Sequence, residues 1–110
     1  MPKEDRRIIF NNEEIYKALY ALCSQKQIKK PPPGAIASLK IDENDNTNLI
    51  VTIENLHEVE NPIVVREYSR DFLAAALMLL CRGLGIPLPK GASKSVLIKD
   101  DQVMLRVQIG

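Results

Sequence analysis

The chain has 110 residues, of which 45% are hydrophobic and 26% are charged, and its net charge is +1. This composition is typical of a globular protein, so it argues against a disordered chain, an acidic tail protein and a strongly basic nucleic-acid binder. The length fits a single domain, residues 1–110. The longest uncharged apolar run, Phe72–Cys81, is about half of what a membrane-spanning helix needs, so no membrane contact is expected.

The N-terminal residues 1–7 carry mixed charge and precede no long apolar stretch, so we expect no signal peptide and a cytoplasmic location. Cys23 and Cys81 are too few for a disulfide scaffold or a zinc cluster, and His57 is the single histidine. The sequence therefore predicts no metal site and no cofactor.

Arg7–Phe10 is predicted to be a short strand. Asn11 can cap a helix, and Glu14 has the spacing of a capping box. Pro31–Gly34 prevents that helix from continuing. One apolar helical face is formed by Ile15, Ala18, Leu19, Leu22 and Cys23.

Alternating apolar residues predict strands over Ala37–Ile41 and Leu49–Glu54, joined as a hairpin by the turn-rich segment 42–48. Asp42, Asn44 and Asn46 resemble the first ligands of a calcium loop. The glycine and glutamate that such a loop requires are missing, so a hairpin turn is the preferred interpretation.

The second half of the sequence predicts the same order of elements. Ile63–Tyr68 is a predicted strand, and Ser69 can cap a helix that ends near Gly83. Ser95–Lys99 and Val103–Ile109 then form a predicted hairpin about Asp100 and Asp101.

The two halves also match residue by residue at an offset of about 58, which indicates an internal duplication with units of about 6–55 and 62–110. The predicted fold is α+β. It consists of two βαββ repeats with pseudo-two-fold symmetry, which place a mostly antiparallel sheet against two helices on one face. The matching residues include Ala18 with Ala76, Cys23 with Cys81, and Gly34 with Gly91.

The net charge of +1 hides two basic blocks and one acidic block. Residues 15–40 and 72–99 carry no Asp or Glu, whereas residues 41–65 carry no Lys or Arg. Both basic blocks fall at a helix C-terminus and in the proline-rich loop after it, where cations are also favoured on general grounds. If the two loops converge, they form an anion or nucleic-acid contact. Its residues are Lys26, Lys29, Lys30, Arg82, Lys90 and Lys94.

The second helix is apolar on all sides, unlike a helix that faces solvent. Its outer positions are covered either by the rest of the chain or by a partner. We favour a partner, with contacts from Ala75, Met78 and Leu79 and an extension through Tyr16 and Tyr20.

These observations favour a small non-enzymatic interaction module, a homodimer or a binder of another protein, over the alternative of a nucleic-acid or anion-binding domain. No catalytic residues are assigned, because a nucleophilic cysteine needs a base and His57 lies in the predicted linker. An enzyme of unrecognised type is the third hypothesis.

Overall fold

The computed structural model describes residues 3–109, which form an α+β fold. In chain order the elements are β1 (Glu4–Phe10), α1 (Asn12–Gln25), β2 (Ala35–Asp42), β3 (Asp45–Glu54), β4 (Ile63–Ser69), α2 (Arg70–Gly83), β5 (Ser93–Lys99) and β6 (Gln102–Ile109). Neither helix in this described range is long and apolar enough to cross a membrane.

The strands form two three-stranded sheets rather than one continuous sheet, with orders β1-β6-β5 and β2-β3-β4. All four pairings are antiparallel. Each sheet combines a hairpin from one half of the chain with the first strand of the other half. The two halves therefore complete each other's sheets, and each half by itself would leave a strand unpaired.

Both helices begin as their capping residues predict. The side chain of Asn11 accepts a hydrogen bond from the Glu14 N–H at 2.8 Å, and the Glu14 carboxylate accepts one from the Asn11 N–H at 2.9 Å. Ser69 Oγ accepts a bond from the Phe72 N–H at 3.0 Å. The predicted apolar face of α1 is fully buried, and α1 packs against α2.

The ends of the two helices have matching local geometry at positions 58 residues apart. In each half, the first helical residue donates a side-chain hydrogen bond to the strand that follows the helix. These matches are local, and the duplication and the pseudo-two-fold axis stay predictions. The matched positions are the N-caps Asn11 and Ser69, the first helical residues Asn12 and Arg70, and the left-handed residues Gln27 and Gly85.

Both predicted hairpins are confirmed, but the first is longer than expected. The segment predicted as a turn, residues 42–48, is mostly strand, because β3 already begins at Asp45. Asn48 stabilises this extension by donating hydrogen bonds to the carboxylates of Asp42 and Glu67, at 3.3 and 3.0 Å. Asp42 also accepts the Asn44 N–H, as the turn interpretation requires.

The hydrophobic core draws on both halves of the chain. In β3 alternate residues are buried, as the sequence pattern predicts. In β6 Val103, Leu105 and Val107 join the core in the same way, but Met104 between them is buried as well. No polar or charged residue of the described range is buried. The largest fully buried side chains are those of Ile15, Leu19, Leu49, Ile53, Leu73, Leu77 and Leu105.

Candidate functional site

The outer side of α2 is half-buried by the chain itself. Ala75, Met78 and Leu79, the predicted partner contacts, all pack partly against the core. The segment 84–92, which follows α2, folds back, and its Ile86 and Leu88 pack there as well. This return of the chain explains part of the apolar character of α2 without a partner.

The two predicted tyrosines have different surroundings. Tyr16 is half-buried, and its hydroxyl donates a hydrogen bond to the Pro32 carbonyl at 2.9 Å, which ties α1 to the first proline loop. Burial raises the pKa of Tyr16 above its usual value. Tyr20 is 42% exposed and stacks on Tyr16. The Lys30 ammonium lies over the Tyr20 ring, 5.4 Å from its centroid, in a cation–π contact.

An open apolar groove of about 530 Å³ lies between the two helices. We call it the inter-helix groove. Of the residues that the structure describes, Gln25 is the single polar side chain in its lining, and Leu84 at its edge is 57% exposed. Of the predicted contact residues, Leu79 alone lines it. The lining consists of Ala18, Ala21, Gln25, Leu79, Leu80, Gly83 and Leu84.

The sequence reasoning missed most of this groove. Ala18, Ala21 and Gln25 lie at helical spacing, so their common face was visible in the sequence. The signal for a groove is the small size of Ala18 and Ala21, not the polarity of the helix face. Two alanines on α1 and Gly83 on α2 leave space between the helices, and larger side chains in their place would fill it.

A second cavity, of about 440 Å³, brings together half of the predicted basic residues. We call it the basic cavity. Arg82 comes from the last turn of α2, Lys90 from the loop and Lys94 from β5. Lys26, Lys29 and Lys30 do not line it. The other lining residues are Met78, Gly85, Ile86, Pro87 and Leu88.

The two cysteines are free and fully buried. Burial raises the pKa of both thiols above the usual value, which keeps them protonated and unreactive near neutral pH. The expectation that Cys23 and Cys81 are packing residues is thus confirmed. His57 lies on the exposed connection between β3 and β4, where its backbone N–H donates to Asn55 Oδ1.

A comparison of the chain with protein-family models, with curated proteins and with solved structures finds no match.

Proposed function

We propose that this protein is a small, non-enzymatic interaction module that forms a homodimer through the inter-helix groove. The observation that carries the proposal is the groove itself, an open surface between two helices that is apolar at every lining position except Gln25. Exposed apolar surfaces of this kind are typical of protein contacts.

A second copy of the chain is the partner that fits this surface best. A two-fold contact is self-complementary, so the same patch must offer both a protruding group and a recess. The inter-helix groove has both, because Leu84 projects at its edge while Ala21 and Gly83 leave its floor open.

The contact is expected to be modest in strength. Full burial of an exposed leucine is worth about 1.5–3 kcal/mol, and Leu84 has about half of its surface left to bury. Because a two-fold contact uses this leucine twice, Leu84 contributes about 1.5–3 kcal/mol to each dimer. That corresponds to about a 10- to 100-fold change in the dimer dissociation constant.

Sedimentation equilibrium of three proteins tests the proposal. The wild-type chain is expected to be a dimer, and Leu84→Glu a folded monomer, because two carboxylates would face an apolar surface. Leu56→Glu is the matched control, since Leu56 is 83% exposed outside the groove, and it should stay dimeric. A monomeric wild type at high concentration, or a dimeric Leu84→Glu, would sink the proposal.

We also infer a reducing compartment, with the cytoplasm as the proposed location, and the support for this is the presence of two free thiols. The broader alternative, nucleic-acid binding by both proline loops together, has less support. Lys26, Lys29 and Lys30 are exposed residues outside the basic cavity.

A further inference from the structure

The basic cavity lies between the C-terminal end of α2, the segment 84–90 and the inner face of the sheet β1-β6-β5. Lys94 pairs with Val107 on one side, and Arg6 pairs with Val107 on the other, so both cations flank the same buried residue. Arg6 does not line the cavity. Its guanidinium Nη2 donates to the Pro87 carbonyl at 2.8 Å, and Pro87 does line it.

Arg6, Arg82, Lys90 and Lys94 therefore lie around one short loop. Among the described residues Arg6 and Lys94 have carbonyl partners, but none of the four cations has an ion pair. Lys94 Nζ donates a hydrogen bond to the Ala92 carbonyl at 3.3 Å. The two ion pairs within residues 3–109 are Glu13–Lys17 and Asp5–Arg106, and neither includes a cation of this cluster. Among residues 3–109, no acidic side chain lines the basic cavity. Arg6 Nε is buried and lacks a hydrogen-bond partner. An unneutralised cluster of this kind attracts an anion.

The other wall of the basic cavity is apolar. Met78, Ile86 and Leu88 contribute apolar side chains, which offer no hydrogen-bond donor to a free inorganic anion. The volume of about 440 Å³ lies in the range of small-molecule sites and exceeds what a phosphate group fills. Methionine also packs well against flat rings. The cavity thus combines an anion subsite with space for an apolar or aromatic group.

The number of cations favours a phosphate over a carboxylate. A phosphate monoester carries a charge of about −1.5 to −2 near neutral pH, whereas a carboxylate carries a single charge. Arg82 can bind two phosphate oxygens as a fork, and Lys90 and Lys94 supply compact charges. We propose that the basic cavity binds an organic phosphate monoester of about nucleotide size, with its phosphate at these three cations.

Calorimetric titration of the full chain at low salt tests this proposal, with adenosine monophosphate as the probe and adenosine as the uncharged control. Binding of the monophosphate, weakened by added salt and absent for adenosine, is the expected result. No binding of the monophosphate, or equal binding of both, would overturn the proposal.

Variants then locate the site. Lys90→Gln and Arg82→Gln change exposed residues, so they should fold normally and weaken binding about tenfold or more. Lys29→Gln makes the same charge change in the other proline loop and should bind like the wild type. If Lys29→Gln weakens binding as much as Lys90→Gln, the basic cavity is not the site and the proposal is wrong.

A 5′-phosphorylated oligonucleotide distinguishes two sources of a phosphate monoester, a free nucleotide and the end of a nucleic acid. Binding no tighter than that of the free nucleotide, and weakened by Lys90→Gln but not by Lys29→Gln, supports the phosphate subsite. Much tighter binding that also falls in Lys29→Gln would indicate an extended nucleic-acid surface and overturn the proposal. The basic cavity and the inter-helix groove share no lining residue, so a failure of dimerisation leaves this test unaffected.

Discussion

Gly34 is the glycine whose replacement the structure forbids most clearly. It ends the first proline loop just before β2, with φ at +142°, a region that residues with a side chain rarely adopt. A Cβ at this position would lie 2.5 Å from the Glu54 carbonyl oxygen and 3.1 Å from Ile53 Cγ2. Because the first of these atoms is backbone of β3, a side-chain rotation cannot relieve the clash.

The expected cost of Gly34→Ala follows from these two effects. A strained backbone conformation costs about 1–3 kcal/mol, and overpacking costs about 1–3 kcal/mol more. We therefore expect the free energy of unfolding to fall by about 2–6 kcal/mol, a large share of the total for a domain of this size. The melting temperature should drop by about 10–25 °C.

Gly91, which the sequence aligns with Gly34, provides the matched control. Its φ is not positive, and no atom beyond its chain neighbours lies within 4 Å of an added Cβ. Gly91→Ala should leave stability unchanged or raise it by up to about 1 kcal/mol. Thermal and urea unfolding followed by circular dichroism measure both variants. Equal melting temperatures for Gly34→Ala and the wild type would refute this reasoning.

Two further predictions concern the sheet β1-β6-β5. Asp100 and Asp101, in the turn between β5 and β6, both have positive φ, at 52° and 61°. Glycine adopts this conformation without the strain of a side chain, so Asp101→Gly should stabilise the protein by about 0.5–1 kcal/mol. An unchanged urea midpoint would contradict this. Hydrogen bonds from Arg106 Nε and Nη2, together with the charges of Arg106 and Arg7, hold the pKa of Asp5 below its usual 3.8. The stabilisation by this carboxylate is therefore present above pH 3.8 and lost as the pH falls through its lower folded-state pKa. Asp5→Asn should thus be less stable than the wild type at neutral pH and indistinguishable in strong acid, and a constant difference across the pH range would argue against the ion pair.

Local chemistry made the elements predictable. The capping box of Asn11 and Glu14 and the cap at Ser69 placed the helix starts, and Gly83 placed the end of α2. The proline loop gave only an outer limit for α1, which ends at Gln25, before Pro31. The apolar alternation in Leu49–Glu54 and Val103–Ile109 identified the two middle strands. These signals act between residues close in sequence, so a single chain displays them directly.

Contacts between distant residues were less accessible to sequence reasoning. Six strands in sequence order allow one sheet or two, and the pairing of β1 with β6 joins the two ends of the chain. The packing of Met78 against the chain's own core was one of two interpretations that the sequence left open. Arg6 was assigned no role, because nothing near it in sequence indicates its bond to Pro87.

The sequence by itself determined the helices, the hairpins, the buried faces and the segregation of charge into blocks, because periodicity, capping and turn chemistry are local properties. The tertiary structure decided which strands share a sheet, which glycine is irreplaceable and which of the six predicted cations meet. Arg82, Lys90 and Lys94 line the basic cavity, whereas Lys26, Lys29 and Lys30 lie outside it. The physical reason is that the path of segment 84–92 and the position of β5 decide which cations lie close together. Both depend on packing between residues far apart in the chain.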